Sequence, residues 1–317
     1  MIASLFVSCL LALSAFAAEY PTRVIYQDLS DPSLENIAVR SSGNLLITSV
    51  TSSTLYTLDP TATNPSLTNV ITLPGANCLT GIVEGQPEVF ALISSSMNLT
   101  LRRAAPGSVT VWSVDLTSGI PLVRQIAVVA NTTILDGVST VPGSPNLILA
   151  ADPDVGAVWQ INMATGEAQL AVVDVSMAPG APAPALGING LHMNDEGMLY
   201  YSNSQQTTFL RMPLNLTGAS GNTVQPAGDD HEYDDFTFDA QGRIWVATHT
   251  GAVTLLTPET DGSFQTEIVA GSLIEPSVFM EPTSAEFGRG SPAQEATLYV
   301  TTEDGQLIAV NTTSAEA

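Results

Sequence analysis

The stretch from Tyr233 to Leu256 constrains the fold most, because it encodes three short strands joined by two tight turns. Phe236 and Phe238 alternate with small or polar residues, and the turn at Gly242 leads into a second apolar strand. A further turn at Gly251 then leads into the third strand. A single meander of this size cannot bury both of its faces, so the chain must supply copies of it.

Copies of this pattern occur along the whole chain, with starts spaced roughly 45 to 55 residues apart. The five further repeats begin near Glu35, Cys78, Leu135, Asn189 and Pro282. This period is typical of β-propeller blades, in which neighbouring sheets cover each other's faces. The predicted fold is therefore all-β, a six-bladed β-propeller.

A segment near the N-terminus predicts how the ring closes. Residues Thr22 to Leu29 have the pattern of a strand without a partner of its own, whereas the last repeat, from Pro282 to Val310, ends after three strands. Pairing these two segments would remove the exposed sheet edges that an open ring leaves. We therefore expect the N-terminal strand to pair with the last blade.

Residues 1–18 have the features of a secretion signal. An apolar run from Ile2 to Phe16 overlaps the small-x-small site at Ala15 to Ala17, and the run is too short to cross a bilayer. We therefore predict a signal peptide over residues 1–18 and a single propeller domain over residues 19–317. A secreted or secretory-pathway protein is the expected product.

Glycosylation sites and cysteine content fit this interpretation. The four Asn-x-Ser/Thr sequons are at Asn98, Asn131, Asn215 and Asn311. Of the two cysteines, Cys9 lies in the predicted signal, so the mature chain would keep only Cys78 and no disulfide framework. We interpret Cys78 as a small buried thiol rather than as a nucleophile.

The charge balance disfavours polyanionic partners. The chain has 8 Lys and Arg residues against 31 Asp and Glu residues, a formal net charge of −23. This charge argues against binding to nucleic acid or to an anionic membrane surface, and it favours cations. The sequence does not indicate the oligomeric state.

Acidic residues at the starts of the inner strands indicate where a site would lie. In a propeller these strands begin around the mouth of the central channel, and at those places the chain has Glu35, Asp136, Asn189 and Asp234, with Asp235 beside the last. Carboxylate and amide oxygens from different blades suit a hard divalent cation such as Ca²⁺. His231, directly before this last pair, is a further polar candidate at the mouth, although an exposed loop would also explain it.

The repeats and these residues resemble the senescence-marker/gluconolactonase superfamily. The likeness rests on Glu35 in the first repeat, on Asn189-Gly190-Leu191 followed by Asp195-Glu196-Gly197, and on Asp234 before Gly242. Members of this superfamily are six-bladed propellers that hold one divalent metal on the channel axis through a Glu, an Asn and an Asp. By that resemblance Glu35, Asn189 and Asp234 would be the metal ligands, with Ca²⁺ as the expected ion.

One position departs from the superfamily pattern. Its lactonases usually carry Asn-Asp-Gly in the third blade, where this chain has Leu135-Asp136-Gly137. Asp136 keeps the place of the family Asp, whereas Leu135 replaces an Asn that helps to bind substrate. We therefore expect an apolar substrate rather than a sugar lactone, in contact with Leu135, His231 and Asp235.

A closer resemblance is to the secreted fungal branch of this superfamily. It is carried by the segments from Leu34 to Thr48, from Tyr233 to Phe236 and from Pro282 to Gly288. That branch includes hetero-Diels–Alderases, which join a tropolone-derived quinone methide to a terpene alkene. The resemblance implies a cyclase of fungal secondary metabolism, acting on an apolar polyketide or terpenoid precursor.

Such a reaction needs orientation of two components and a proton donor that promotes loss of water. The candidate catalytic residues are Glu35, Asp136 and Asp234. Two alternatives remain open on the sequence. The first is a divalent-metal-dependent lactonase or esterase, and the second is a propeller that binds a ligand without chemistry, in which the acids only stabilise the centre of the ring.

Overall fold

Six four-stranded antiparallel sheets make up the computed structural model, which describes residues 19–27, 33–216, 224–227, 231–274 and 277–313. The six-bladed β-propeller predicted from the repeats is confirmed. The predicted signal peptide, residues 1–18, lies outside the described residues. Among those described, no helix has both the length and the apolar character needed to cross a membrane.

Each blade runs from an inner strand at the channel to an outer strand at the rim. Blade 1 contains β2 (Leu34–Val39), β3 (Leu45–Ser49), β4 (Thr54–Leu58) and β5 (Thr68–Thr72). Blade 2 contains β6 (Cys78–Gln86), β7 (Val89–Ser95), β10 (Thr110–Asp115) and β11 (Leu122–Val128), and its small hairpin consists of β8 (Met97–Asn98) and β9 (Arg103–Ala104). Blade 3 contains β12 (Val138–Val141), β13 (Ser144–Asp152), β14 (Ala157–Asn162) and β15 (Ala168–Val173).

The second half of the ring repeats this order. Blade 4 contains β16 (Ile188–Met193), β17 (Met198–Asn203), β18 (Thr208–Pro213) and β19 (Val224–Ala227). Blade 5 contains β20 (Tyr233–Phe238), β21 (Ile244–Thr248), β22 (Ala252–Pro258) and β23 (Phe264–Gly271). Blade 6 contains β24 (Pro282–Phe287), β25 (Thr297–Thr302), β26 (Gln306–Asn311) and β1 (Thr22–Gln27). A 3₁₀ turn, Val175–Met177, follows blade 3, and a short helix α1, Pro292–Glu295, lies in blade 6.

The N-terminal strand closes the ring. β1 pairs antiparallel with β26, from Thr22 opposite Val310 to Gln27 opposite Gln306. This pairing confirms the prediction for the N-terminal segment over the residues that the structure describes. The inner strands also touch in ring order, since β2 packs against β6 on one side and against β24 on the other.

Hydrophobic clusters lie between neighbouring blades and hold the ring together. Phe90 packs between blades 1 and 2, Tyr201 between blades 3 and 4, Phe236 between blades 4 and 5, and Trp245 between blades 5 and 6. Burying one large apolar side chain contributes about 1.5–3 kcal/mol. Because 44% of its residues are apolar, the chain has enough such side chains to cover both faces of its sheets.

The outer strands are the part of the blade that the repeat pattern does not show. β5 has no buried residue, and β11 is mostly exposed, with Leu122 67% exposed. These strands pair through their backbones and have little of the apolar alternation that reveals a half-buried strand. The repeat pattern therefore shows three strands in each of blades 1 to 5, where the structure has four.

Candidate functional site

Irregularities in strand pairing position three of the predicted residues. The pairing of β2 with β3 shifts register between Leu34 and Ile37, so that Glu35 lies within the shift. Asn189 and Asp234 occupy the same place in β16 and β20. A bulge of this kind changes the direction of a side chain relative to the regular alternation of the strand. Three blades therefore present a polar side chain at equivalent positions.

These three residues and Asp136 line one cavity of about 220 Å³ at the end of the channel where the inner strands begin. We call it the mouth cavity. All four side chains are buried. Asn189 donates from its amide nitrogen Nδ2 to Ser204 Oγ at 3.0 Å, which leaves its amide oxygen as an acceptor. The four residues that the repeats predict at the mouth are thus brought together.

Glycine follows the site residue in two of the blades, at Gly137 and Gly190, and lets the inner strands pack close together. A Cβ added at Gly137 would lie 2.6 Å from Asn189 O, and one at Gly190 would lie 2.5 Å from Asp235 Oδ1. Neither distance is possible for a real side chain without a shift of the neighbouring strand. In the pairs Asp136-Gly137 and Asn189-Gly190, the glycine therefore allows neighbouring inner strands to pack closely around the channel, and it does not form a hairpin turn.

His249 is a site residue that the sequence analysis does not identify. Its Nε2 lies 2.6 Å from Asp234 Oδ2, and its Nδ1 lies 3.0 Å from Glu281 Oε2. Burial alone would lower the pKa of His249, but the hydrogen bonds to Asp234 and Glu281 outweigh burial and hold the pKa well above its usual range. The protonated imidazole is therefore held between two carboxyl groups.

Residues that follow the second strand of a blade form a further set around the mouth cavity. Val50, Ser204, His249 and Glu303 each come directly after the second strand of their blades, and all four line the cavity. The sequence signal that could have identified His249 is this repeat position. The inner-strand starts alone do not include it.

Burial raises the pKa of the three carboxyl groups of the mouth cavity to different extents. Burial raises the pKa of Glu35 well above its usual range, and the carboxyls of Asp136 and Asp234 raise it further. Burial, followed by the carboxyls of Asp234 and Asp235, raises the pKa of Asp136 to about 8. Burial also raises the pKa of Asp234 to about 6, although the hydrogen bond from His249 opposes this shift. At neutral pH Asp136 is therefore mostly protonated, whereas Asp234 is mostly ionised beside His249.

Two carboxyl oxygens of this cavity lack a hydrogen-bond partner among the described residues. They are Asp136 Oδ1 and Asp234 Oδ1, and both are buried. Buried polar atoms in native proteins are nearly always hydrogen-bonded, so an unpaired pair of oxygens in one cavity indicates a place for a bound molecule or ion.

The mouth cavity also has an apolar wall. We define this wall as Val50, Cys78, Met97, Ile134 and Leu186, which pack together and all line the cavity. Burial raises the pKa of the Cys78 thiol to about 12, so this residue behaves as an apolar group rather than as a nucleophile. One cavity thus joins a hydrophobic surface to a set of acids.

The structure corrects the expectation for Leu135. Its side chain is 1% exposed and packs in the hydrophobic core between blades 2 and 3, while only its backbone carbonyl approaches the site, where it accepts a hydrogen bond from Thr80. The adjacent residue, Ile134, lines the cavity instead. Neighbouring residues in extended chain point in opposite directions, and the side chain of Leu135 takes the core side.

Asp235 and His231 also lie elsewhere than the sequence analysis expects. Asp235 lines a second cavity of about 140 Å³, further along the same inner strands, which we call the lower cavity. There its Oδ1 lies 3.2 Å from His192 Nε2. His231 is not among the residues that line the mouth cavity, and its ring packs against that of Tyr233 with 6.2 Å between centroids. Neither residue contacts the space that a substrate in the mouth cavity would fill.

The chemistry of the mouth cavity fits a hard divalent cation. Oxygens of Glu35, Asn189 and Asp234 would hold such an ion, and Asp234 Oδ1 is free of any other partner in the described part of the chain. Over the same described residues, no group of three or more His, Cys, Asp or Glu side chains is placed to hold a metal. The predicted set has only two carboxylates and an amide, so the Ca²⁺ assignment stays a prediction.

The comparisons with known proteins agree with the resemblance that the sequence shows. The chain is 26% identical over 318 residues to a candidate hetero-Diels-Alderase from Phoma sp, covering 92% of this chain and 88% of that protein. It is 24% identical over 323 residues to the candidate hetero-Diels-Alderase asR5 from Sarocladium schorii, covering 91% of this chain and 79% of the relative. No protein-family profile matches the chain.

Solved structures show the same architecture. A gluconolactonase from Xanthomonas campestris superimposes with a TM-score of 0.61 at 15% identity, covering 95% of this chain and 92% of the other. The calcium-binding protein regucalcin from Agrobacterium tumefaciens gives a TM-score of 0.60 at 16% identity, with coverage of 92% and 94%. The fold is that of the gluconolactonase-like propellers. At these identities the likeness extends to the fold alone.

Proposed function

We propose that this protein is a hetero-Diels–Alderase-like cyclase of fungal secondary metabolism, acting on an apolar polyketide or terpenoid precursor. The two relatives named as hetero-Diels-Alderases support this class of reaction, and a tropolone meroterpenoid is the product that the resemblance to the fungal branch implies. The observation that carries the proposal is the mouth cavity, which is lined both by the apolar wall and by buried acids, two of which have an oxygen without a partner among the described residues. A small apolar molecule is the expected partner.

Asp136 is the best placed proton donor for the step that generates the reactive diene. Burial raises its pKa to about 8, so it is protonated at neutral pH and yet acidic enough to transfer the proton. On a hydroxymethyl precursor, Asp136 would donate a proton to the hydroxyl group, and the C–O bond would break with release of water. The proton of the neighbouring ring hydroxyl would then return to the carboxylate and leave a neutral quinone methide.

The cycloaddition itself needs no further proton transfer, since one C–C bond and one C–O bond form together. The contribution of the protein would be to hold diene and alkene in contact, which can supply several kcal/mol by orientation. Val50, Ile134 and Leu186 offer the apolar surface for this purpose. Glu35 would serve as a second neutral acid, and the Asp234–His249 pair would balance the charge that develops during the proton transfers.

The second candidate is a divalent-metal-dependent lactonase or esterase. It is favoured by the oxygens of Glu35, Asn189 and Asp234 in one cavity and by the structural likeness to a gluconolactonase. A bound cation would supply Lewis-acid polarisation of an ester carbonyl. Protons and a cation are two alternative ways to neutralise the same buried carboxyl groups, and this difference separates the two functions.

The experiment that tests the proposal combines the purified protein with a hydroxymethyl tropolone and a terpene alkene. We expect an adduct of one stereochemistry, measured by chiral chromatography and mass spectrometry, and we expect most of this activity to survive chelation. Leu186→Trp should block the cavity and abolish the reaction. Ile120→Trp is the matched control, because Ile120 lies at an exposed turn and is 77% exposed.

Three outcomes would contradict the cyclase. The first is an adduct mixture identical to that formed without protein. The second is an equal yield from Leu186→Trp and Ile120→Trp. The third is rapid hydrolysis of simple lactones that disappears on chelation and returns with Ca²⁺, which would establish the hydrolase instead.

We also propose that the protein enters the secretory pathway as a glycoprotein. All four predicted sequon asparagines, Asn98, Asn131, Asn215 and Asn311, are exposed in the structure. The chain expressed in a fungal host should lose mass on enzymatic deglycosylation. An unchanged mass would contradict this proposal.

A further inference from the structure

Arg102 and Arg103 are neighbours in sequence, but they have different surroundings. Arg103 has a side chain that is 13% exposed, lies 2.6 Å from Asp154 Oδ1 and donates to Ala185 O. The side chain of Arg102 is 45% exposed and lines the mouth cavity. Arg103 is therefore part of the scaffold, whereas the guanidinium of Arg102 faces the site.

The turn between β8 and β9 holds Arg102 at the edge of the cavity. Asn98 caps the turn by accepting from Leu101 N through both its backbone oxygen and its side-chain Oδ1. Arg102 N donates to Leu99 O, and Arg102 adopts a φ of 48°, which is the left-handed region that favours glycine. The position thus carries a large cationic side chain where backbone conformation alone would favour Gly or Asn.

The guanidinium of Arg102 is available to a ligand. Its ion-pair partner in the described structure is Glu303 at 3.7 Å, and both side chains are at least 40% exposed. A pair with this distance and exposure contributes little and is readily exchanged for a ligand oxygen. His249, the other cation that lines the cavity, is already committed to Asp234 and Glu281.

Arg102 also stands at a junction between two spaces. Besides the mouth cavity it lines an adjoining open groove, whose other walls include Pro182 and Pro184 of the loop before blade 4. Leu186 lines both spaces as well, and Leu99, which is 48% exposed, lines the mouth cavity. A molecule bound at this junction would meet the guanidinium of Arg102, the apolar side chains of Leu186 and Leu99, and the carboxyl group of Glu232, which also lines both spaces.

From this arrangement we infer that Arg102 binds an oxyanion of the substrate, a carboxylate or enolate on an apolar body, at the junction of the mouth cavity and the groove. The inference rests on the proposed function for the identity of the substrate, but the binding itself does not depend on turnover. A planar guanidinium suits a delocalised oxyanion, because it can donate two parallel hydrogen bonds. A local cation is needed here, since the net charge of −23 otherwise repels an anion.

The test measures binding of benzoate, an oxyanion on an apolar ring, and of neutral benzyl alcohol by calorimetry or ligand-detected NMR. Arg102→Gln should weaken benzoate binding about tenfold or more and leave benzyl alcohol unchanged. Arg124→Gln is the control, because it removes the same charge from the exposed outer strand β11. Glu303→Gln should strengthen benzoate binding, since it removes the competing carboxylate.

Other results would contradict the inference that Arg102 binds an oxyanion of the substrate. Equal loss of benzoate affinity in Arg102→Gln and Arg124→Gln would indicate a general charge effect. Equal loss for benzoate and benzyl alcohol in Arg102→Gln would indicate damage to the cavity, and a wild-type protein that does not bind benzoate lacks the site. Formation of the cycloadduct without benzoate binding would overturn this inference alone, and benzoate binding without an adduct would count against the cyclase alone.

Discussion

The mouth cavity and the lower cavity follow one another along the same channel, and each contains a histidine–aspartate pair. His249 pairs with Asp234 at the mouth, whereas His192 pairs with Asp235 below. The two aspartates are adjacent in sequence. Their chemistry is alike, so the difference between the cavities lies in what surrounds each pair.

The acids of the lower cavity are satisfied by the protein itself. Asp235 Oδ1 accepts from Phe236 N at 2.9 Å as well as contacting His192. Glu286 Oε1 accepts from Thr237 Oγ1 at 3.1 Å and from the backbone nitrogen that follows it. A fully bonded buried network stabilises one conformation and has no need of a ligand.

The acids of the mouth cavity are not satisfied in this way. Asp136 and Asp234 each keep a buried oxygen without a hydrogen-bond partner among the described residues, whereas no acid that lines the lower cavity does. Both cavities are lined by apolar as well as acidic residues, so neither burial nor charge alone distinguishes them. The difference between the two lies in the unpaired oxygens of the mouth cavity.

The largest effect is expected from adding a methyl group at Gly190, which packs against Asp234 and Asp235. Gly190→Ala places a methyl group 2.6 Å from Asp235 Cα and 2.8 Å from Asp234 O, so we expect a loss of about 3 kcal/mol or more in the free energy of unfolding. Gly107→Ala, in an open turn, should cost only about 1–2 kcal/mol for its positive φ. Chemical denaturation measures the free energy of unfolding of both variants. Equal losses would show that the strands around Gly190 can move apart to make room for the methyl group.

A smaller effect on stability should distinguish Asp235 of the lower cavity from Asp136 of the mouth cavity. Asp235→Asn leaves His192 without its charged partner, and we expect a loss of about 2 kcal/mol in the free energy of unfolding. Asp136→Asn removes an acid that burial disfavours in its charged form, so stability at pH 8 should be unchanged or increased. A larger loss for Asp136→Asn than for Asp235→Asn would reverse the roles assigned to the two cavities.

The remaining effect is a change in how stability depends on pH, with a small slope for each pH unit. The pKa of Asp136 is about 8 in the folded protein against an ordinary value of 3.8, so between these values the folded state holds a proton that the unfolded state has released. Its contribution to stability is complete below about pH 4 and is lost as the pH rises to about 8. In the wild type, this one proton makes the free energy of unfolding fall by about 1.4 kcal/mol per pH unit in this range. Asp136→Asn should remove that part of the fall.

Thermal unfolding between pH 5 and pH 8 measures this slope. Asp261→Asn is the control, because its carboxyl is exposed and its pKa is lowered, so it is ionised in both states over the whole range. An identical slope for the wild type and Asp136→Asn would show that Asp136 is ionised at neutral pH.

The sequence predicts the ring and the positions of Glu35, Asp136, Asn189 and Asp234, because a repeated pattern places equivalent residues at equivalent points of the channel. It does not predict the direction of neighbouring side chains at those points. Asp235 follows Asp234 but enters the lower cavity, and Leu135 precedes Asp136 but enters the core. Register shifts in the inner strands set these directions, and they depend on pairing with the next strand rather than on local sequence.

The sequence does not predict His249 or the apolar wall, and the reason is different. The wall combines Val50, Cys78 and Leu186 from three separate blades and loops. No local pattern links residues so far apart, since only closure of the ring brings them together. A search of every position that follows a second strand would have identified Val50 and His249, but not the loop residue Leu186.

In the proposed cyclase, the reaction takes place in the mouth cavity through protonated Asp136, while the lower cavity only supports the fold. The most direct test compares adduct formation by the wild type, Asp136→Asn and Glu286→Gln, with thermal unfolding as a check on folding. We predict that Asp136→Asn lowers the rate about 100-fold or more. Glu286→Gln should retain the wild-type rate within about twofold, because Glu286 lines only the lower cavity. An active Asp136→Asn, or an equally large loss in a folded Glu286→Gln, would contradict the account.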